Sequence, residues 1–130
     1  MTMNDPLANA LSSILNDEKI GKHESMTAPS SKIIRKVLEV IKDNGYIGDF
    51  EEIKNGRGDF IKINLLGNIN KCGVIKPRYS VKNDQFEKFE KRYLLARGMG
   101  ILILSTPAGI MSHNDAKKKQ IGGKLLAYCY

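Results

Sequence analysis

With 130 residues, 42% of them apolar and 27% charged, the chain can bury the core of one domain or two small ones and is too apolar for a disordered basic tail. Its formal net charge of +7 points to an acidic partner. No run approaches the roughly 18 apolar residues of a membrane-spanning helix, and the amino terminus shows no basic-then-apolar leader, so a soluble cytoplasmic protein with no membrane partner is expected.

Asp5 and Pro6 form a helix start, a capping carboxylate followed by proline in the first turn. Leu7, Leu11, Ile14 and Leu15 then fall on one helical face, and Gly21 closes the segment. Residues 22–28 read as a short strand. A second helix enters through Pro29 and Ser30 and carries the apolar stripe Ile34, Val37, Leu38 and Ile41 before Gly45. Its opposite face mixes Arg35, Lys36, Glu39, Lys42 and Asp43 and reads as solvated. Only Ser30, Ser31 and Lys32, at the positive helix end, are candidate phosphate donors there.

Residues 46–66 have a β-hairpin pattern, because Ile61, Ile63 and Leu65 alternate with Lys62 and Asn64 and the pair Asn55 and Gly56 is a turn signal. The order α-β-α-β-β over residues 1–66 predicts both helices on one face of a small sheet. Residues 67–70 make a seam. Beyond it, Val74 and Ile75 precede the basic turn Lys76, Pro77, Arg78, Tyr79, and extended structure resumes through Val81. Residues 84–92 suit a surface helix with Phe86 and Phe89 inward and Lys88, Lys91 and Arg92 outward. The run Ile101 to Leu104 lacks polar alternation and predicts a central strand buried on both faces. A short helix over 114–119 and a last strand over 124–130 complete an α+β reading: an amino-terminal α-β-α-β-β half, 1–66, packed against a mainly antiparallel β half with short helices, 67–130.

The charge is unevenly placed. Residues 1–66 hold nine Lys and Arg against ten Asp and Glu, whereas residues 67–130 hold twelve against four. A polyanion should therefore meet the carboxy-terminal half first. Cys72 and Cys129 lie far apart in sequence, with His23 and His113 isolated, so reduced structural thiols are expected and no metal or other cofactor. Gly-x-Ser-x-Gly and the P-loop are absent, and no paired carboxylates converge, since Glu51 and Glu52 would point to opposite faces of a strand.

The most informative segment follows the apolar strand. Ser105 and Thr106 arrive at its end, Gly109 turns the chain, and Lys117, Lys118, Lys119, Gly122, Gly123 and Lys124 follow. Hydroxyls and a glycine turn beside clustered lysines present donors to an anionic polymer. A plain turn cap is an equal reading of the two hydroxyls. A hydrolase using Ser105 with His113 as base is an alternative, weakened by the lack of an acid to orient that histidine. A DNA-binding regulator using the second helix is another, weakened by the mixed charge of that helix.

Gly100, Ile103, Leu104, Ser105, Thr106, Gly109, Ile110, Met111, Ala116 and Lys117, in that spacing, resemble the signature of the small-subunit ribosomal protein eight family. Gly122, Gly123, Leu125, Ala127 and Tyr128 resemble the end of its archaeal-type members, and Asp5, Pro6, Leu7, Ala8, Leu11, Pro29, Ser30, Lys32, Gly45, Tyr46 and Ile47 extend the likeness through the first half. The resemblance implies a non-enzymatic constituent of the small ribosomal subunit. It would be a primary binder of the central domain of small-subunit ribosomal RNA, assisting assembly of the platform beside neighbouring small-subunit ribosomal proteins. In relatives the protein can also bind its own messenger as a translational repressor, which is carried as a secondary expectation.

In the family the Ser-Thr loop reads the shallow minor groove of an irregular RNA helix. The residues expected to bind RNA are thus Ser105, Thr106, Gly109, Lys117, Gly122, Gly123 and Lys124, with Lys76 and Arg78 from the basic turn and Ser30, Ser31 and Lys32 from the second helix. Two departures matter. Pro107 and Ala108 replace a serine and a lysine common in bacterial relatives, and Lys124 replaces an acid that supports the loop there. Tyr79 is open between stacking on a base and packing in the core.

Overall fold

The computed structural model describes residues 6–27, 32–54, 59–76, 78–82, 84–94 and 100–130. The chain divides into two compact units, Met1–Lys71 and Cys72–Tyr130.

The first unit runs α1 (Pro6–Lys19), β1 (Glu24–Thr27), α2 (Lys32–Asp43), β2 (Ile47–Lys54) and β3 (Asp59–Leu65). This is the α-β-α-β-β order expected from apolar spacing. Leu7, Leu11 and Ile14 of α1 are buried, as are Ile34, Val37, Leu38 and Ile41 of α2. Both helices stop in the same way, on a glycine in the left-handed region, Gly21 at φ +79° and Gly45 at φ +82°. In each case the next residue's N–H reaches back to a carbonyl of the last turn, Lys22 to Asp17 at 3.0 Å and Tyr46 to Ile41 at 3.2 Å.

The strands form an antiparallel sheet in the order β1-β3-β2. Ile61, Ile63 and Leu65 of the central strand are buried, and α1 and α2 lie against β1 and β2 respectively and against each other. The helices thus form one layer on one face. The other face carries Phe60, Lys62 and Asn64, the alternate positions of β3. The capping Asp5 and the turn signal at Asn55 and Gly56 lie outside the described residues. After β3, the Glu18 carboxylate accepts from the N–H groups of Gly67 and Ile69, each at 3.1 Å, which ties 67–70 to α1.

The second unit runs β4 (Cys72–Val74), β5 (Ser80–Val81), α3 (Phe86–Tyr93), β6 (Ile101–Thr106), β7 (Gly109–Ser112), α4 (His113–Lys119) and β8 (Gly123–Cys129). All pairings are antiparallel, in the order β4-β8-β6-β7, with β5 joining β8 along the edge that β4 also uses. Residues 101–104 are buried on both faces, as their missing polar alternation predicts. Leu102, Leu104 and Leu125 form a core with Phe86 and Phe89 of α3, Leu94 and Ala116 of α4. Ile110 and Met111, a short apolar pair in the sequence, belong to β7, the second arm of a tight hairpin with β6. Cys72 and Cys129, 57 positions apart in sequence, are buried and directly opposite each other across β4 and β8.

Candidate nucleic-acid interface

Three strand ends meet where β6 leaves the core. Lys124 at the start of β8 lies opposite Ser80 of β5 on one side and Ser105 of β6 on the other. Directly opposed residues in antiparallel strands share a face, so this register lines up a hydroxyl, an ammonium and a second hydroxyl, all exposed. Ser80–Lys124 and Lys124–Ser105 are adjacent strands, and neighbouring strands lie about 4.8 Å apart, so the row spans close to 10 Å. Beside it is an open depression of about 480 Å³, also lined by Lys82, Gln85, Pro107 and the two glycines Gly122 and Gly123.

The hairpin tip is held from inside. Thr106 Oγ1 donates to the Gly109 carbonyl at 2.7 Å and accepts from the Ala108 N–H at 3.2 Å. Its proton is committed to the turn, and the side chain is almost fully buried. Thr106 thus fixes the turn that presents Ser105, and it lines the same depression. Gly109 has φ +118° and open space where a Cβ would stand, so the turn's backbone conformation requires glycine there.

Gly122 and Gly123 have a different reason. A Cβ on Gly123 would lie 2.1 Å from the Ser105 carbonyl oxygen, and one on Gly122 would lie 2.2 Å from that of Val81. These glycines let β8 fit between β6 and β5, which is what brings the row together.

Lys117 is the lysine that the sequence favours most. Its ammonium is bonded to the carboxylate of Glu90 on α3, a residue that sequence reasoning misses. Glu90 is 5% exposed and also meets His113 Nε2 at 3.1 Å. His113 is 3% exposed, and its Nδ1 accepts from the Leu102 N–H at 3.0 Å. The geometry therefore assigns the proton to Nε2, pointing at Glu90. Burial, the largest influence, holds the His113 pKa below its usual 6.5; Glu90 pulls the other way.

Both ring nitrogens are thus occupied, and His113 cannot take a proton from Ser105, which removes the base of the hydrolase alternative. Lys117 keeps a partly exposed side chain, but its charge is largely answered within the fold. Lys118 and Lys119 are exposed. Asp115 sits in the first turn of α4, and the cap is Ser112, whose Oγ accepts from the Asp115 N–H at 3.4 Å.

Lys76 and Arg78 are exposed on the turn before β5. The Tyr79 ring lies 5.5 Å from that of Phe89 and 5.4 Å from the Arg92 guanidinium, so it packs against α3. Arg92 also covers Tyr93 at 5.5 Å. Ser30 and Ser31 lie outside the described residues; Lys32 opens α2 in the first unit and is exposed. Ser80, Lys82 and Gln85 carry no signal in the sequence, because only the strand register reveals that Ser80 shares a row with Ser105. Among the described residues no cluster of His, Cys, Asp or Glu could hold a metal ion.

The site is an open, hydroxyl-rich and cationic surface on a rigid sheet end, the construction of a binding protein for a polyanion. The chain belongs to the ribosomal protein S8 family, whose model, Ribosomal protein S8, matches residues 5–130. It is accordingly a small-subunit ribosomal protein that binds ribosomal RNA and works in translation, within the cytoplasmic ribosome. This is a structural family and not an enzyme family.

Proposed function

We propose that the chain is a primary binder of the central domain of small-subunit ribosomal RNA and helps to fold the platform, docking through its second unit, 72–130. The observation that carries this reading is the exposed row Ser80–Lys124–Ser105 beside the depression at Gly122 and Gly123. The wide minor groove of A-form RNA offers 2′-hydroxyls and base edges at a depth that short hydroxyl side chains on a flat sheet end can reach. Lys124 answers a phosphate, and Arg78, Lys82 and Lys118 add salt-sensitive attraction around it. Binding by this surface needs no catalytic group. Its own messenger is a second target insofar as it folds into the same groove shape, giving translational repression.

The test is binding to purified small-subunit ribosomal RNA over a salt series, with footprinting and with excess transfer RNA as competitor. A compact footprint in the central domain that survives competition is expected. It should be lost in the variant Ser80→Ala/Ser105→Ala while generic duplex affinity holds. Salt-sensitive binding with no footprint would reduce the second unit to a generic basic surface.

A further inference from the structure

RNA binding leaves a pair of cysteines in the second unit unused. Cys72 is the first residue of β4, Cys129 is the last of β8, and the two are direct partners in the ladder. The backbone hydrogen bonds fix which kind of partners they are. The Ile75 N–H donates to the Leu126 carbonyl at 3.0 Å, which makes those opposed residues a hydrogen-bonded pair. The two kinds of pair alternate along antiparallel strands, and Val74 with Ala127, Gly73 with Tyr128 and Cys72 with Cys129 follow in register. Cys72 and Cys129 are therefore a non-hydrogen-bonded pair, the kind whose Cα atoms stand about 4.5 Å apart with side chains drawn together on one face. A disulfide needs Cα atoms about 4.4–6.8 Å apart, so the backbone meets that requirement before any link forms.

The register is held from the opposite face of the sheet. The Tyr128 ring covers Gly73: a Cβ on that glycine would stand 3.1 Å from the Tyr128 hydroxyl and 3.3 Å from the ring. A slip of one residue would take the ring off the glycine and turn Cys72 away from Cys129. On its other side Cys129 faces Ile101 of β6, an apolar neighbour. Both cysteines are buried, Cys72 at 4% and Cys129 at 0% exposure. Cys72 heads a three-residue strand at the sheet edge, so local fraying of β4 exposes its thiol first.

We propose that Cys72 and Cys129 are a peroxide-responsive modification site, closing into a reversible cross-strand disulfide that staples the second unit. The Cys72 sulfur, as its thiolate, attacks one peroxide oxygen, the O–O bond breaks, and a sulfenic acid and one water result. The Cys129 sulfur then displaces the hydroxyl as a second water and the S–S bond forms. Two thiols and one hydrogen peroxide thus give one disulfide and two waters, and a dithiol reductant reverses the link by exchange. The closed loop takes in almost all of the unit Cys72–Tyr130, with Ser80, Ser105 and Lys124 inside it. Tying so long a loop restricts the unfolded chain and favours the folded one. The link lies at the opposite end of β8 from Lys124, so the hydroxyl row keeps its geometry.

The experiment treats the full chain, reduced and then freed of reductant, with a small molar excess of hydrogen peroxide. The reaction is quenched by alkylating the remaining thiols, and the products are digested for mass spectrometry. The expected product is a monomer in which the peptides holding Cys72 and Cys129 are joined, two hydrogens lighter than the reduced pair and parted by dithiothreitol. Its thermal midpoint should rise by about 5 °C or more. Cys72→Ala/Cys129→Ala, treated alike, controls for methionine oxidation and should show no rise. Affinity for small-subunit ribosomal RNA should be the same for the linked and reduced chains, and binding by the double variant shows that it is folded. Dimers joined through Cys72, sulfinic acid in place of the link, or a link that forms only in urea would each overturn the proposal. So would a linked chain that melts no higher than the reduced one, or one that loses its affinity for RNA as the link forms.

Discussion

At the residue scale the second unit turns on Glu90, His113 and Lys117. A buried carboxylate is stable only when its charge is answered, and here it receives an ammonium and an imidazole N–H. Lys117→Met should therefore cost about 1–3 kcal/mol, well above the cost of Lys118→Met, because it leaves Glu90 charged without its cation. The double variant Glu90→Gln/Lys117→Met should recover part of that loss. A urea-denaturation cycle over the four proteins measures the coupling, and additive losses would refute the pairing. The same histidine predicts a pH dependence. Because burial keeps its folded pKa below 6.5, the unfolded chain takes up the proton first as pH falls. Stability is then full above about pH 6.5 and declines below it, with a slope approaching about 1.4 kcal/mol per pH unit until the folded pKa is reached. His113→Asn, which retains an acceptor for Leu102, should remove that part of the slope between pH 5 and 7. Lys117 is legible in the sequence as a lysine at a signature position. Its partner lies 27 positions upstream on another helix, and no local pattern relates the two.

At the element scale, what is legible follows from periodicity and what is missed follows from pairing. The stripes of α1 and α2, the alternation in β3 and the unbroken apolar run of β6 each dictate one element, and each is found. Strand β7 has only four residues and two apolar ones, too few for an alternation signal, so it exists through its ladder with β6. The interface depends on the same kind of information. Ser80 gains meaning only from standing opposite Lys124. Gly123 of β8 illustrates how such pairing is enforced. Gly123→Ala places a methyl group against the Ser105 carbonyl, so β6 and β8 must separate. A stability loss of about 1–3 kcal/mol is expected, with weaker binding to ribosomal RNA even at temperatures where the protein is folded. Gly109→Ala meets no neighbour and strains only the turn at φ +118°, so its cost should be about 1 kcal/mol. Thermal denaturation of the two variants, with RNA titration of each, separates crowding from turn strain.

At the scale of the whole molecule the division of charge is the decisive property, and a count along the chain is enough to show it. The excess of cations lies past residue 66, yet ionic affinity depends on which charges are free to meet phosphate. In the first unit Arg35 is bonded to Glu52 at 2.6 Å, Lys42 to Asp49 and Lys62 to Glu24, so cations and carboxylates largely cancel. In the second unit Lys117 is cancelled in the same way by Glu90, and it drops out of the set that should govern salt dependence. Lys124 and Arg78 stay in it, both exposed on or beside the hydroxyl row. If each neutralises one phosphate, Lys124→Gln/Arg78→Gln should lower the log–log salt slope of ribosomal RNA binding by about two. Lys19→Gln/Lys36→Gln removes the same charge from exposed helical positions of the first unit and should leave the slope nearly unchanged. The comparison holds net charge constant between the two variants, so a difference in slope reports location alone. Equal slopes would mean that RNA senses only the total charge of the chain. Unequal slopes in the expected direction would tie the affinity to the strand ends where Ser80, Lys124 and Ser105 stand in line.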